Sequence, residues 1–599
     1  MTTHESGRTG SYPESLVPQS DPVGVTDERV DIREFAGGLP QHKARLPQIR
    51  IGTRWYNPWL ALIVVSAVGA LVFIAICQQL RQYDWMQSFM DTYPGTSDSY
   101  AQTVDSGFPA WLRWQHLLNA IFMLFIIRAG IQILADHPRL YLNSGSTPGT
   151  DWLRIRGPIP ADRLDQSRPD KVWTAKDDAV ALPKWLGIPG IRHSIGLARW
   201  VHFSFDLLWL INGTVFVVLL FVTDQWHRLI PTSWTVFPNA LSAAIQYGSL
   251  DFPANEGYTN FNGLQIIAYF LTIFVVAPLA PITGLLQAPA VAAKLGTGRG
   301  PLNRQVARTL HFFVLAWMVF FILVHTVMVF VTGLVGNLNH IVLGANTQSL
   351  WPLLVYVLVM IAVVAVWLAA SPFTLRYPRL VQKTGRFLVG WIKGLMEWSN
   401  PRADYSEKDI SPYFWPNGTI PVSDRYREMR SNNWSDYTLL VNGLVENPTT
   451  FTYRQLLDMP KHEQITQHFC IQGWSAVGKW GGVRMADILK IVQPTPEAKY
   501  AVFYSMAYGG DGPAAGRYYD CHKIEHMSRD LTILAYEMNG EPLTETHGAP
   551  LRLRNEDELG FKQVKWIEAI EFVESFEHIG RGQGGYNEDH EFYGYRMPI

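Results

Sequence analysis

The sequence predicts a membrane-embedded all-α bundle of six transmembrane helices, followed by a soluble α+β domain. Three observations carry this reading. Six stretches stay apolar over the roughly 20 residues that a helix needs to cross a hydrocarbon core, and all of them precede residue 371. From about Pro401 the texture changes to short alternating runs broken by turn residues, the pattern of strands. Four histidines lie inside the apolar stretches, where an ionisable side chain points to function.

Composition sets the outer bounds. The 599 residues hold 50 Lys and Arg against 51 Asp and Glu, a net charge of −1. No global field favours nucleic acid. The three cysteines, Cys77, Cys470 and Cys521, are far apart and have neither metal-site spacing nor the density of a disulfide framework.

Residues 1–45 are rich in Ser, Pro, Gly and Asp and are expected to form a disordered arm. They contain no apolar core after a basic start and no paired arginines, so no cleavable export signal is read. The membrane domain is placed at 46–395, with spans at about 58–80, 115–135, 201–222, 262–288, 309–333 and 351–370. The first, PWLALIVVSAVGALVFIAICQQL, carries no charge.

Orientation follows from Lys and Arg near the span ends. Lys43, Arg45, Arg50 and Arg54 precede span 1. Lys294, Arg299, Arg304 and Arg308 lie between spans 4 and 5, and Arg376, Arg379, Lys383, Arg386 and Lys393 follow span 6. On the other side, residues 81–113 carry Asp84, Asp91, Asp98 and Asp105 against Arg81 and Arg113, and residues 336–350 carry no charge. Both termini are expected in the cytoplasm, in a multi-pass protein of the inner (plasma) membrane.

The intramembrane histidines are His116, His202, His311 and His325. His311 and His325 stand 14 residues apart on span 5, nearly four whole turns, so they face the same way about 21 Å apart along the axis. Because the spans alternate in direction, His202 falls at the inner level with His311, and His116 at the outer level with His325. Two stacked bis-imidazole sites in a bundle suit two b haems. They suit zinc poorly, since it usually takes more protein ligands. A lone histidine could equally be a helix–helix hydrogen-bond partner; the consistent pattern of four favours ligands.

The segments RWQHLLNAIFMLFIIRAG, ARWVHFSFDLLWLINGTVF and RTLHFFVLAWMVFFILVHTVMVF resemble the di-haem cytochrome b subunits of respiratory formate dehydrogenases and nickel–iron hydrogenases over about 114–335. That resemblance implies two b haems and electron exchange with a quinone pool. Spans 1 and 6 depart from its four-span pattern. Arg128, toward the inner end of span 2, is a candidate partner for a haem propionate or a snorkelling interface residue. Asp206, one turn from His202, is a candidate to orient that imidazole, to serve a proton path, or only to face the interface.

The soluble domain is placed at 400–599. Its lone Cys470, in QHFCIQGWSAVGKWGG, has three readings from the residues alone. It is a small buried hydrophobe, a nucleophile with His468 as base, or a soft ligand to a metal whose other donors come from a cofactor. The runs Leu439–Leu489 and Ile533–Glu574 are similar to the molybdopterin-binding domain of the sulfite oxidase family over about 410–575. Within that family the C-x-x-x-W-S stretch is closer to the methionine sulfoxide reductase branch. The resemblance implies that Cys470 is the one protein ligand of molybdenum in a Mo-molybdopterin cofactor.

It further implies that Arg552 holds the pterin phosphate and that Gln563, Val564 and Lys565 form the loop wrapping the cofactor. Ser505 and Asn417 fall at contact positions, and His547 stands where the branch often has Asn. For Arg552 and Lys565 the competing reading is a solvated surface charge. His522 and His526, four apart, are either a metal pair on one helix or surface residues, and the latter is preferred. Two departures stand out. That branch is exported and works with a separate membrane cytochrome, whereas here the charge bias leads to the expectation of a cytoplasmic domain; and no counterpart of the sulfite oxidase dimerisation region is expected.

The expected function is that of a membrane-bound molybdenum oxidoreductase. It would couple oxygen-atom transfer on a small-molecule substrate to electron transfer through two haems and the quinone pool. The alternatives are a sulfite-type dehydrogenase reducing quinone, and a non-catalytic transmembrane electron carrier with a docking domain.

Overall fold

In the computed structural model, residues 42–596 are described except 96–104, 170, 184, 188–193, 253–257, 259, 292–299, 397–404 and 510–515. The expected disordered arm lies outside the described residues up to position 41, as do Asp98, Lys294 and Arg299.

Six helices are long and apolar enough to cross a membrane. They are α1 (Trp59–Leu80), α2 (Ala110–Asp136), α3 (Ser194–Val222), α4 (Gly263–Leu285), α5 (Arg304–Val331) and α6 (Trp351–Arg376). Apolar side chains exposed along α1 and α6 face outward, as lipid contact requires. Helices α2 and α3 pack as neighbours along their length.

Several helices begin one or two turns before the apolar pattern does. In α5 the start is set by Asn303, whose side chain accepts from the backbone N–H groups of Gln305 and Val306 and so satisfies two of the four orphan donors of a helix N-terminus. Helix α4 begins at a capping box between Asn262 and Gln265 and contains a π-helical stretch, Leu271–Val276. A further helix, α7 (Pro378–Met396), follows α6 after a single residue.

The connection between α2 and α3 is folded. Strands β1 (Gln48–Ile51), β2 (Arg54–Tyr56), β3 (Arg139–Leu140) and β4 (Leu153–Arg154) form a sheet in the order β2-β1-β4-β3. On β3, Arg139 is fully buried between Asp151 (2.9 Å) and Asp178 (2.9 Å).

The soluble domain has two five-stranded sheets. One runs β10-β9-β14-β5-β6, from β5 (Thr438–Gly443), β6 (Thr449–Thr452), β9 (Tyr500–Tyr508), β10 (Arg517–Lys523) and β14 (Ile567–Val573). Only the β14–β5 pair is parallel. The other runs β12-β11-β8-β7, with β13 also paired to β11. Its strands are β7 (Lys461–Phe469), β8 (Ser475–Arg484), β11 (Thr532–Met538), β12 (Glu541–Pro542) and β13 (Arg552–Asn555). A core including Leu439, Phe503, Leu534, Leu553 and Phe572 holds them together.

Hydrogen bonds join the two parts of the chain. Trp415 Nε1 donates to Ser146 O (2.8 Å) in the α2–α3 connection. The C-terminal segment returns to the membrane domain: Arg379 of α7 donates to Glu588 O (2.9 Å) and Asp589 O (2.6 Å), Gln382 to Tyr593 O (2.8 Å), and Trp200 of α3 to Phe592 O (3.0 Å).

Candidate redox site

The loop from β7 to β8 is a tight turn. Cys470 N–H donates to Trp474 O (3.0 Å), and Gly473 N–H donates back to Cys470 O (3.1 Å). Gly473 has φ +106°, a conformation that favours glycine, and a Cβ there would crowd the Arg308 guanidinium at 3.3 Å. Cys470 is 3 % exposed. Its neighbours include Phe469, Trp474, Phe414 and Trp480. Among the described residues, no group of three or more His, Cys, Asp or Glu is arranged to hold a metal ion. A metal on this thiol would therefore draw its remaining donors from a cofactor.

The walls of this site are cationic. Arg552 and Arg554 lie over the Trp480 ring, 4.8 and 4.3 Å from its centroid. Arg554 is satisfied: it donates to both oxygens of Glu556 (2.9 and 2.8 Å) and meets His468 Nδ1 at 2.9 Å. Arg552 donates to His547 O (2.8 Å), but its Nε has no partner, and neither do Trp480 Nε1, Gln472 Nε2 and Gln563 Oε1. Burial, and then repulsion from Arg554, presses the Arg552 guanidinium well below its usual range. Burial, followed by Arg552, does the same to Lys565. Such a desolvated cluster is costly without a bound anion. Orphaned donors and surplus buried positive charge fit a phosphate-bearing cofactor.

The other sequence candidates border this cluster. Lys565 Nζ donates to Thr546 O (2.8 Å) and to Asn417 O. Ser505 Oγ donates to Lys565 O (2.7 Å), holding the loop. Val564 is buried, and its carbonyl accepts from Leu553 N–H (2.8 Å). Gln563 Nε2 donates to Glu558 O (3.1 Å). His547 meets Thr544 Oγ1 (2.7 Å) and Phe414 O (3.2 Å); burial first, then Lys565, lowers it to about 3. Burial and then Arg554 push His468 well below its usual range, so a general-base role beside Cys470 is disfavoured.

His522 and His526 depart from the expectation of surface residues. Both are buried. His522 ends on β10 with Asn555 Nδ2 at 2.9 Å and Lys562 O at 2.9 Å, while His526 sits in the next helical turn near Asp557 (3.7 Å). The strand ends between them, so they share no helical face.

In the bundle, the His202 and His311 rings have centroids 6.3 Å apart, and those of His116 and His325 are 6.1 Å apart. An imidazole nitrogen sits about 2 Å from a bound metal and the ring centre ~1.2 Å further out, so two imidazoles facing one metal would have their centroids about 6 Å apart. Both pairs fit a metal between them. His202 Nδ1 faces Ile126 O at 3.1 Å, and a carbonyl only accepts, so Nδ1 carries the proton and Nε2 is free to ligate. His311 Nδ1 lies 2.9 Å from Thr283 Oγ1, whose own hydrogen goes to Leu279 O (2.6 Å); the same tautomer follows. Asp206 faces the other nitrogen of the His202 ring. Its carboxylate is 3.5 Å from Nε2, while Ile126 O accepts from Nδ1. Arg128 donates to Ser371 Oγ and lies over Trp367, tying α2 to α6.

The link between thiol and bundle was invisible to motif reading. The first turn of α5 reaches the Cys470 loop. Arg304 donates to Cys470 O (3.3 and 3.4 Å) and Trp474 O (3.2 Å), and Gln305 to Gly473 O (2.9 Å) and Ser475 Oγ (3.1 Å). One turn on, Arg308 donates to His137 O (2.7 Å) and Arg139 O (2.8 Å). In sequence these arginines read as topological charges; the only further signal is the Asn303 cap, which extends the helix past the lipid.

Comparison with known proteins agrees with this division. Residues 426–578 match the oxidoreductase molybdopterin binding domain, and residues 107–344 match the prokaryotic cytochrome b561 family. Among curated relatives, a putative protein-methionine-sulfoxide reductase subunit of Azospira oryzae is 32% identical over 162 residues, 27% of this chain and 56% of that protein. The catalytic subunit of a protein-methionine-sulfoxide reductase from Xanthomonas axonopodis pv. citri is 33% identical over 177 residues, 28% of this chain and 54% of that one. The chain thus spans about half the length of the curated relatives it matches. A solved sulfane dehydrogenase from Paracoccus pantotrophus is 26% identical over 24% of this chain and 39% of that one, with a TM-score of 0.21, too low to carry an argument. This polypeptide therefore joins, in one chain, a membrane segment that matches the prokaryotic cytochrome b561 family to a segment that matches the oxidoreductase molybdopterin binding domain.

Proposed function

We propose that the chain is a membrane-bound molybdenum oxidoreductase that reduces an oxidised small substrate, most simply a sulfoxide, with electrons drawn from quinol through two b haems. The observation that supports this most strongly is the docking of the Cys470 loop on the first turn of α5, the helix that bears His311 and His325. His311 lies seven residues beyond Arg304, about 10 Å along the axis.

Cys470 would be the protein ligand of molybdenum, and a bound Mo-molybdopterin would supply the two-electron couple and the oxygen acceptor. Arg552 and Lys565 would neutralise its phosphate. Gln563, Val564, Ser505, His547 and Asn417 would shape the loops around it. His202 with His311 would hold the haem nearer the molybdenum, and His116 with His325 the farther one. Reduction of a sulfoxide consumes two electrons and two protons and releases the sulfide and one water. The sulfoxide preference rests on the relatives named as methionine-sulfoxide reductases. With the charge bias of the loops, the molybdenum domain and both termini would lie in the cytoplasm.

Metal and haem analysis of the purified protein tests the frame. About one molybdenum and two b haems per chain are expected, and protein purified from molybdenum-replete cells without the metal would overturn it. A substrate panel with quinol as donor, followed through haem oxidation state, then tests substrate and direction. Faster turnover of sulfite with quinone as acceptor would reverse the proposed direction.

A further inference from the structure

Helix α7 begins one residue after the membrane-crossing α6 ends at Arg376, so it starts at the bilayer surface. Its two long faces differ. Pro378, Gln382, Gly385 and Val389 are buried, and a Cβ on Gly385 would meet Trp200 of α3 at 2.8 Å. On the opposite side Leu380, Phe387, Trp391 and Leu395 are exposed, Phe387 to 85 %. Positions 380, 387, 391 and 395 recur with the helical repeat, so these side chains form one stripe. Lys383 and Arg386, both exposed, flank it.

A stripe of this size is not left in water by a soluble surface. An apolar face with a tryptophan, basic flanks and continuity with a span is the pattern of a helix lying in the membrane interface. We propose that α7 is an interfacial helix. Its Leu380–Phe387–Trp391–Leu395 face lies among the acyl chains, and Lys383 and Arg386 meet anionic lipid headgroups. Its other face grips the C-terminal segment through Arg379 and Gln382. The helix thus fixes the height of the molybdopterin domain over the bilayer, independently of which substrate that domain uses.

Spin labelling tests this on the full chain in nanodiscs of phosphatidylcholine with phosphatidylglycerol. The wild-type chain, whose three cysteines are all buried, gives the background. Labels are placed by Phe387→Cys, Lys383→Cys and, as an aqueous control, Lys490→Cys, with haem content confirming the fold. The label at 387 is expected to lose collisions with a water-soluble nickel complex and gain collisions with oxygen, relative to 490, with 383 between them. Nickel access at 387 equal to that at 490 would overturn the proposal. So would dipolar broadening at 387 that disappears on dilution with unlabelled chain, since a second copy would then cover the face.

Discussion

The Arg304 guanidinium donates to the Cys470 carbonyl oxygen through both terminal nitrogens, at 3.3 and 3.4 Å, about two turns before His311 on the same helix. One rigid element therefore carries an imidazole of the bundle and holds the loop of the candidate molybdenum ligand. In a two-protein system such a contact would form and break with each encounter. Here it is part of the fold.

Replacement of Arg304 should uncouple the halves without emptying them. Arg304→Gln leaves the Cys470 and Trp474 carbonyls short of a charged donor, at a cost of about 1–3 kcal/mol. About tenfold in rate accompanies each 1.4 kcal/mol if the loss falls on the transfer step. We expect unchanged haem and molybdenum content, and haem reoxidation by substrate slowed on the order of tenfold or more, read by stopped-flow absorbance. Arg304→Lys should recover part of the rate, since a point charge can serve one carbonyl but not two.

Cys470→Ala should abolish turnover and molybdenum binding while the reduced haem spectrum persists. The side chain is small and buried, so removal of its sulfur costs about 1 kcal/mol of domain stability, too little to unfold it. Elemental analysis beside the visible spectrum separates the two outcomes. Retained molybdenum would show that the metal is held elsewhere.

The two histidine pairs should be separable. His325→Ala and His311→Ala are each expected to lower haem content by about half, because each would remove one of the two imidazoles that would hold a haem. Only His311→Ala should block haem reoxidation by substrate, and only His325→Ala should block reduction from the far side. An unchanged pyridine haemochrome value in either variant would refute the pairing.

The sequence made these pairs legible because two regularities act together: the helical repeat places residues 14 apart on one face, and alternating spans sort the levels. Cys470 stands out as a candidate through the order of motifs around it. Other features resisted for physical reasons. Spacing put Asp206 beside His202 but could not say which ring nitrogen it faces, and that nitrogen decides its role. Arg304 and Arg308 serve topology and docking with the same charges, so their second use left no compositional trace. Helix α7 escaped hydropathy because its lysines and arginines dilute a stripe that only the helical projection reveals. His522 and His526 were misplaced because β10 ends between them, where a fixed spacing stops meaning a shared face.

The C-terminal strap should respond to pH. Lys562 is buried with two carboxylates, Asp520 and Glu588 (2.7 Å to the latter). One cation cannot fully offset two buried anions, so the pair retains a proton close to neutrality. Burial raises Glu588 to about 7, opposed by Lys562, and burial likewise raises Asp589 to about 6. A carboxyl whose folded pKa lies above its unfolded one binds more protons in the native state, so stability falls as pH rises from about 4.5 through 7 and levels off beyond. Glu588 and Asp589 also give their carbonyls to Arg379 of α7, so the loss should appear first as release of the strap. We expect protease sensitivity near residues 581–585 to increase between pH 5 and 8. Glu588→Gln should flatten that rise, because a neutral amide no longer ionises while Lys562 keeps Asp520 as its partner. A rise of unchanged steepness in the variant would place the titrating group elsewhere.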